Sequence, residues 1–304
     1  MDASAVRKAA ESFGIMALSD PDKHTPKVNA QYSFRKDMLT EMVGFWLLGE
    51  TAMKLVGHKG CGKTTVVEQF HAAMNYPLIK VTCNPRMEAA QLRGQFAPVQ
   101  GGFSYTHGAL VRAAKVGCSI LLDEYNLLDP GEAAGINDLL EGGMMEVPET
   151  GEVIHPAPGF RIFACCNPND QAMGYFGRNE QDSSNDDRFW TITVDYPSAE
   201  EETPLVQSVL EQTFDTMLAA AFAQKMVQVA NKIRQQFMGV SNDGNALEIT
   251  MSTRTLLRWA KGFTVFHEAP QPVHFALARA FTNQKPFSET KTAIHAIVTD
   301  IFGE

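Results

Sequence analysis

The stretch Ala52–Thr65, AMKLVGHKGCGKTT, decides the fold. AMKLV is a short apolar run. A glycine-rich turn follows, and KTTVVEQFHAAM then reads as a helix. The turn, Gly57–Thr64, matches G-x-x-x-x-G-K-[ST] in its required strand–loop–helix setting. Gly57, Gly60 and Gly62 let the backbone curl so that successive N–H groups point at one anion. The helix N-terminus adds partial positive charge. Lys63 is then placed to reach the β- and γ-phosphates of a nucleotide, and the Thr64 hydroxyl to ligate magnesium. The expected phosphate-binding segment is Gly57, His58, Lys59, Gly60, Cys61, Gly62, Lys63, Thr64 and Thr65.

Downstream, CSILLDEYN (Cys118–Asn126) is an apolar strand ending in two acids. Carboxylates at the end of a buried strand are costly unless they serve something. Beside a phosphate loop, the first acid holds the magnesium shell and the second polarises the attacking water. The expected metal ligands are therefore Thr64 and Asp123, and the expected general base is Glu124.

Around these motifs the chain alternates. Strands are expected at Ala52–Val56, Leu78–Thr82, Cys118–Leu122, Phe160–Cys165 and Thr191–Val194. Helices are expected near Lys63–Asn75, Gly108–Val116 and Glu132–Glu141, and over Ser33–Glu50 with Ser33 as its cap. Alternation of this kind makes a mostly parallel sheet covered on both faces. After Pro197 only helical spacing persists, in Pro204–Phe237, Thr253–His267, Pro272–Thr282 and Thr290–Phe302, with a loop over Met238–Ser252. The expected fold is α/β: a phosphate-loop core with a five-stranded, mostly parallel sheet, an inserted β-hairpin and a C-terminal α-helical lid. The expected divisions are an N-terminal arm at 1–32, a nucleotide-binding domain at 33–199, and lid and C-terminal helices at 200–304.

Composition narrows the function classes. The chain has 304 residues and a net charge of -9, which argues against nucleic-acid binding through a broad basic surface. No apolar run approaches the roughly 18 residues of a membrane span. The N-terminus lacks the basic-then-apolar layout of a secretory signal, so a cytoplasmic protein is expected. Cys61, Cys83, Cys118, Cys165 and Cys166 form no C-x-x-C pair and read as buried, reduced thiols. The eight His show no ligand spacing.

Taken in this order, the motifs resemble those of an AAA+ ATPase. GHKGCGKT and ILLDEYN look like its Walker A and Walker B motifs. FRIFACCNPND ends in Asn167, as a sensor-1 strand does. NDDRFW looks like the arginine-finger segment, with Arg188 as the finger. MSTRTLLRWA resembles the start of the sensor-2 helix, with Arg254 as the sensor. More narrowly, the chain is similar to the MoxR-like branch. That branch includes the Q-type activators of Rubisco and of nitric-oxide reductase, gas-vesicle protein N and the small ATPase subunit of cobalt chelatase. The resemblance covers about Ser33 to Phe266. It matches neither the first 32 residues nor those beyond about 267. It implies a hairpin inserted after the Walker B motif, for which Met144–His155 is the candidate.

The resemblance also implies ATP and Mg2+ as cofactors, a homo-oligomer of six subunits, and a protein client reached with a separate von Willebrand factor A domain chain. Catalytic roles carry over to Glu124, Asn167, Arg188 and Arg254. Arg188 would act on the neighbouring subunit's nucleotide; the alternative is a surface ion pair with Asp186 or Asp187. Arg258, one turn on, is the alternative to Arg254, and Arg178 is a lower-ranked trans contact. Phe103 and Tyr105 either line a pore or form the packed face of a hairpin, and the packed face is the simpler reading. The leading function is an ATP-hydrolysing ring motor that remodels or activates a protein. The alternatives are a nucleic-acid motor or loader, an ATP-gated structural assembly, and the motor of a metal chelatase.

Overall fold

The computed structural model describes residues 1–168, 183–239, 247–284 and 288–303. Arg178 lies outside them. Two compact units divide the chain. The first holds 1–58 and the described part of 62–194; the second holds 59–61 and the described residues from 195 onward.

Nine strands are described: β1 (Ala52–Val56), β2 (Leu78–Thr82), β3 (Gly94–Val99), β4 (Gly102–His107), β5 (Ser119–Asp123), β6 (Met145–Val147), β7 (Glu152–Ile154), β8 (Arg161–Cys166) and β9 (Trp190–Thr193). The helices of the first unit are α1 (Ala3–Ser12), α2 (Lys36–Leu48), α3 (Lys63–Ala73), α4 (Ala89–Arg93), α5 (Ala109–Val116), α6 (Pro130–Ala134), α7 (Asn137–Leu140) and α8 (Ser183–Asp186). Five strands form one parallel sheet in the order β2-β5-β8-β1-β9. The central strands β1, β5 and β8 are almost wholly buried, as a sheet covered on both faces requires. Lys54 is the charged exception in β1. It pairs with Asp186 and lies over the Phe189 ring.

Several local readings change. Ser33 does not cap α2: the helix starts at Lys36, and the Ser33 hydroxyl instead accepts from the Met1 amino group at 3.2 Å. Glu132–Glu141 is two short helices rather than one, α6 beginning at the Asp129 cap and Pro130 and stopping at Gly135. Residues 1–32, expected as an arm, contain α1, which docks on α3. Val6 and Ala10 are fully buried, and Arg7 Nε donates to the Ala73 carbonyl at 3.0 Å. Gln69 of α3 also ties down this segment, accepting from Asn29 N–H and donating to the Lys27 carbonyl.

Two antiparallel hairpins leave the sheet. In β6–β7, Met145 faces Ile154; in β3–β4, Phe96 faces Tyr105 with ring centroids 5.4 Å apart. Phe103 is not packed: it is 75% exposed. The hairpins are tied together. Glu152 receives His107 Nε2 at 2.6 Å and Lys115 Nζ at 2.8 Å, and Arg93 lies 3.9 Å from Glu149.

His71 is buried in an aromatic nest of Trp46, Phe70, Tyr76 and Phe163. Burial pulls its pKa down to about 4, partly offset by the bond from Nδ1 to the Val67 carbonyl. The unfolded chain therefore takes up this proton first. The stability His71 contributes is whole above about pH 6.5 and is lost as pH falls through about 4. His71→Phe should flatten the acid limb of a plot of Tm against pH. An unchanged limb would assign acid lability to the carboxylates instead.

The second unit is helical: α9 (Ala199–Leu210), α10 (Thr216–Phe237), α11 (Thr253–Val265), α12 (Pro272–Ala280) and α13 (Glu289–Phe302), with no strand among its described residues. The expected helix Pro204–Phe237 is thus two. Ser198 and Glu201 form a capping box for α9, and Asp215 caps α10, accepting from the N–H groups of Met217 and Leu218. Trp259 is buried among the helices, and its Nε1 donates to the Val273 carbonyl at 3.0 Å. All five cysteines are buried, and none of them forms a disulfide. No described helix is long and apolar enough to cross a membrane.

Candidate active site

The register brings four strand ends level. Val56 pairs Cys166, Cys165 pairs Asp123, and Asp123 pairs Thr82. Functional groups therefore collect at the carboxyl ends of the parallel strands, where ligands bind in open α/β sheets. Gly60 (φ 77°) and Gly62 (φ 103°) hold the loop in the left-handed region, and Gly62 is the N-cap of α3. Gly57 is tied to β8 by its N–H, which donates to the Cys166 carbonyl at 3.1 Å. Residues 59–61 group with the second unit; Lys59 is exposed and Cys61 buried. Thr65 lies in the first turn of α3.

Lys63 is buried at the start of α3. Its ammonium donates to the Gly57 carbonyl at 2.7 Å, to the His58 carbonyl at 3.0 Å and to Asn167 Oδ1 at 2.9 Å. Asn167 follows β8 and turns its other end to Glu124, Nδ2 donating to Oε1 at 3.1 Å and Oε2 at 2.9 Å. The amide orientation is fixed, since an ammonium only donates and a carboxylate only accepts. Glu124 itself has a left-handed backbone (φ 58°), uncommon for a residue with a side chain. One chain of contacts thus runs Lys63–Asn167–Glu124.

A second contact joins Thr64 Oγ1 to Asp123 Oδ1 at 3.0 Å. The hydroxyl and the carboxylate are hard oxygen donors, side by side and partly open to solvent. That donor set fits magnesium, which takes one or two protein oxygens and keeps several waters. Burial pushes the neighbouring thiols up, Cys83 to about 12 and Cys166 to about 11, and Cys165 in the same direction. These sulfurs stay protonated and supply no nucleophile at neutral pH.

Arg188 Nε lies 2.7 Å from Glu141 Oε1, so among the described residues it pairs with Glu141 rather than with Asp186 or Asp187. Arg188 and Glu141 border a surface concavity of about 580 Å³, together with Glu50, Thr51 and Asp187. Arg254 and Arg258 are both exposed on α11, in the second unit. Sequence reasoning missed Asn126, Glu68 and Lys80. Asn126 is buried and donates from Nδ2 to the Asn167 carbonyl at 2.8 Å. Its place in ILLDEYN, two residues after Glu124, was the available signal. Lys80 reaches Asp123 Oδ2 at 3.5 Å and Glu68 Oε1 at 3.0 Å. A charge inside the strand LIKVT was the signal there.

Residues 52–189 match the AAA domain of the dynein-related subfamily, and residues 207–301 match the CbbQ/NirQ/NorQ C-terminal domain. Protein CbbQ of Hydrogenophilus thermoluteolus is 32% identical over 206 residues, covering 67% of this chain and 71% of that protein. The chain belongs to the MoxR-like branch of the AAA+ ATPases. This MoxR-like chain is also 28% identical over 291 residues to the aerobic cobaltochelatase subunit CobS of Sinorhizobium sp, covering 90% of this chain and 84% of that one. Protein NorQ of Paracoccus denitrificans (strain Pd 1222) is 28% identical over 250 residues, 82% of this chain and 86% of that one. The AAA+ assignment agrees with the five-stranded parallel sheet and the helical C-terminal part.

Proposed function

We propose that this chain hydrolyses ATP with magnesium, works as a ring of its own copies in the cytoplasm, and remodels or activates a protein partner together with a separate von Willebrand factor A domain chain. The observation that carries the reading is the bonded run Lys63–Asn167–Glu124 beside Thr64–Asp123. In this scheme the Lys63 ammonium offsets charge on the terminal phosphate. Glu124 takes a proton from the attacking water, and Asn167 holds the Glu124 carboxylate at a fixed angle to Lys63. Magnesium, when bound, shields the phosphate oxygens and helps to neutralise charge developing on them. Asp123 and Thr64 hold it, and the backbone N–H groups of Gly57–Lys63 cradle the phosphates.

Arg188 and Arg254 are proposed as the trans finger and the lid sensor. Glu141 occupies Arg188 in the single chain, so the finger exchanges that carboxylate for phosphate when subunits meet. A protein client is favoured over DNA because the chain carries a net charge of -9 and the β6–β7 hairpin, with Glu146, Glu149 and Glu152, has no lysine or arginine of its own to grip a phosphate backbone. That one relative is named a subunit of a cobaltochelatase supports action beside other chains.

The test is the solution mass of Glu124→Gln protein with and without magnesium ATP. ATP should drive a shift to a ring-sized particle. Arg188→Ala should then lose about a thousandfold in turnover while its ATP affinity stays unchanged. A Glu124→Gln protein that remains monomeric with ATP bound would rule out a trans finger in the isolated chain.

A further inference from the structure

We propose that Lys80 is a positioning residue that sets how tightly magnesium is held at the phosphate loop, its ammonium competing for the Asp123 carboxylate and Glu68 drawing it away. The inference rests on the reading of Asp123 as the magnesium-side carboxylate.

Lys80 stands on the edge strand β2, hydrogen-bonded to β5. In the register it pairs Leu121, two residues before the Thr82–Asp123 pair. Side chains two apart on a strand share a face, so Lys80 comes up on the side from which Asp123 is reached. The two oxygens of Asp123 are used differently. Oδ1 takes the Thr64 hydroxyl at 3.0 Å, and Oδ2 faces the Lys80 ammonium at 3.5 Å. Glu68 follows Thr64 by one turn of α3 and accepts from Lys80 at 3.0 Å.

The Lys80 side chain is 40% exposed. Water is thus available to it, yet it turns inward between two carboxylates. A dication at Asp123 meets this positive charge a few ångströms away, and like charges oppose each other at that range. Lys80 therefore weakens the site. Glu68 offsets Lys80 and offers it a second partner, so Glu68 strengthens the site. Neither residue is a ligand; both act through Asp123. An ion pair of this exposure contributes little to folding, so its effect should be read in cation binding rather than in stability.

The full chain provides the test. The Kd of methylanthraniloyl-ATP is measured with EDTA and with saturating magnesium, and the ratio of the two reports the coupling between cation and nucleotide. Lys80→Met should raise the ratio about fivefold. Glu68→Gln should lower it about threefold by the same electrostatics. Lys80→Arg, which keeps the charge, should restore the parent ratio. Melting in EDTA should move by no more than a few degrees in all three, and the effects should shrink as salt is added. If Lys80→Met and Glu68→Gln leave the ratio within about twofold while Asp123→Asn collapses it, Lys80 is an edge-strand ion pair only and the reading of Asp123 survives. If Asp123→Asn leaves the ratio unchanged, that reading fails and takes this one with it. Should Lys80→Met not fold, the Glu68→Gln result decides alone: an unchanged or raised ratio overturns the proposal.

Discussion

Lys63→Ala should lower ATP affinity by about a hundredfold or more, measured as the Kd of methylanthraniloyl-ATP with magnesium present. The ammonium is buried and bonded to the carbonyls of Gly57 and His58 and to Asn167 Oδ1. These contacts aim it, and on the proposed reading they yield in part to phosphate oxygens. Two charge-assisted bonds at about 1.5–3 kcal/mol each give about 3–6 kcal/mol, and 1.4 kcal/mol is a factor of ten. The substitution also removes the partner of Asn167 Oδ1, which frees the amide to turn and loosens Glu124. Turnover at saturating ATP should therefore fall as well as affinity. If affinity stays within about threefold of the parent, Lys63 is a structural tie between the loop and β8, and the phosphate reading is lost.

Glu202→Ala should destabilise the helical unit by about 3–5 kcal/mol, read from chemical denaturation. Glu202 of α9 is fully buried, and Arg234 of α10 is 2% exposed. The guanidinium grips the carboxylate with two bonds, at 2.7 and 2.8 Å. Thr253 at the start of α11 donates to the same carboxylate at 2.6 Å, and Arg234 Nε donates to the Met251 carbonyl at 2.8 Å. The Tyr196 ring covers the guanidinium at 4.3 Å. One buried pair thus fastens α9, α10 and the start of α11. Removing only the carboxylate strands a cation in a dry interior. Glu202→Ala with Arg234→Met should recover much of the loss, because the cost is the unpaired charge and not the missing attraction. A double variant no more stable than the single would show that geometry, rather than desolvation, dominates.

How far the sequence could be read differs from residue to residue. The phosphate loop was legible because its chemistry is local: glycines, a lysine and a hydroxyl at fixed spacing, between a strand and a helix. Asp123 and Glu124 were legible because acids at the end of an apolar run are expensive. Strands β1 and β2 fall at the expected residues, and β5, β8 and β9 lie within one residue of theirs. Helix breaks were less legible. The split between α9 and α10 turns on the Asp215 cap, a signal masked by the helical spacing on either side. In QFAPVQGGFSYTH a hairpin was the simpler reading and forms as β3–β4, but which aromatics pack was not legible: Phe96 faces Tyr105 across the Gly101–Gly102 turn, while Phe103 is left exposed.

Pairings between distant residues were not legible at all. That Arg188 meets Glu141, that His107 and Lys115 share Glu152, and that Glu202 holds Arg234 depend on which surfaces pack together. The amphipathic docking of α1 is of the same kind: Val6 and Ala10 signal nothing until α3 covers them. By itself the sequence placed a phosphate loop and a carboxylate pair at strand ends, because each rests on spacing within a few residues, whereas Asn167 stood out only through the resemblance to AAA+ ATPases. Only the tertiary structure decided that Asn167 bridges Lys63 to Glu124 and that the Lys80 ammonium faces Asp123. Parallel strands far apart in the chain must pair in register before those atoms come within bonding distance, and charges interact through space rather than along the chain.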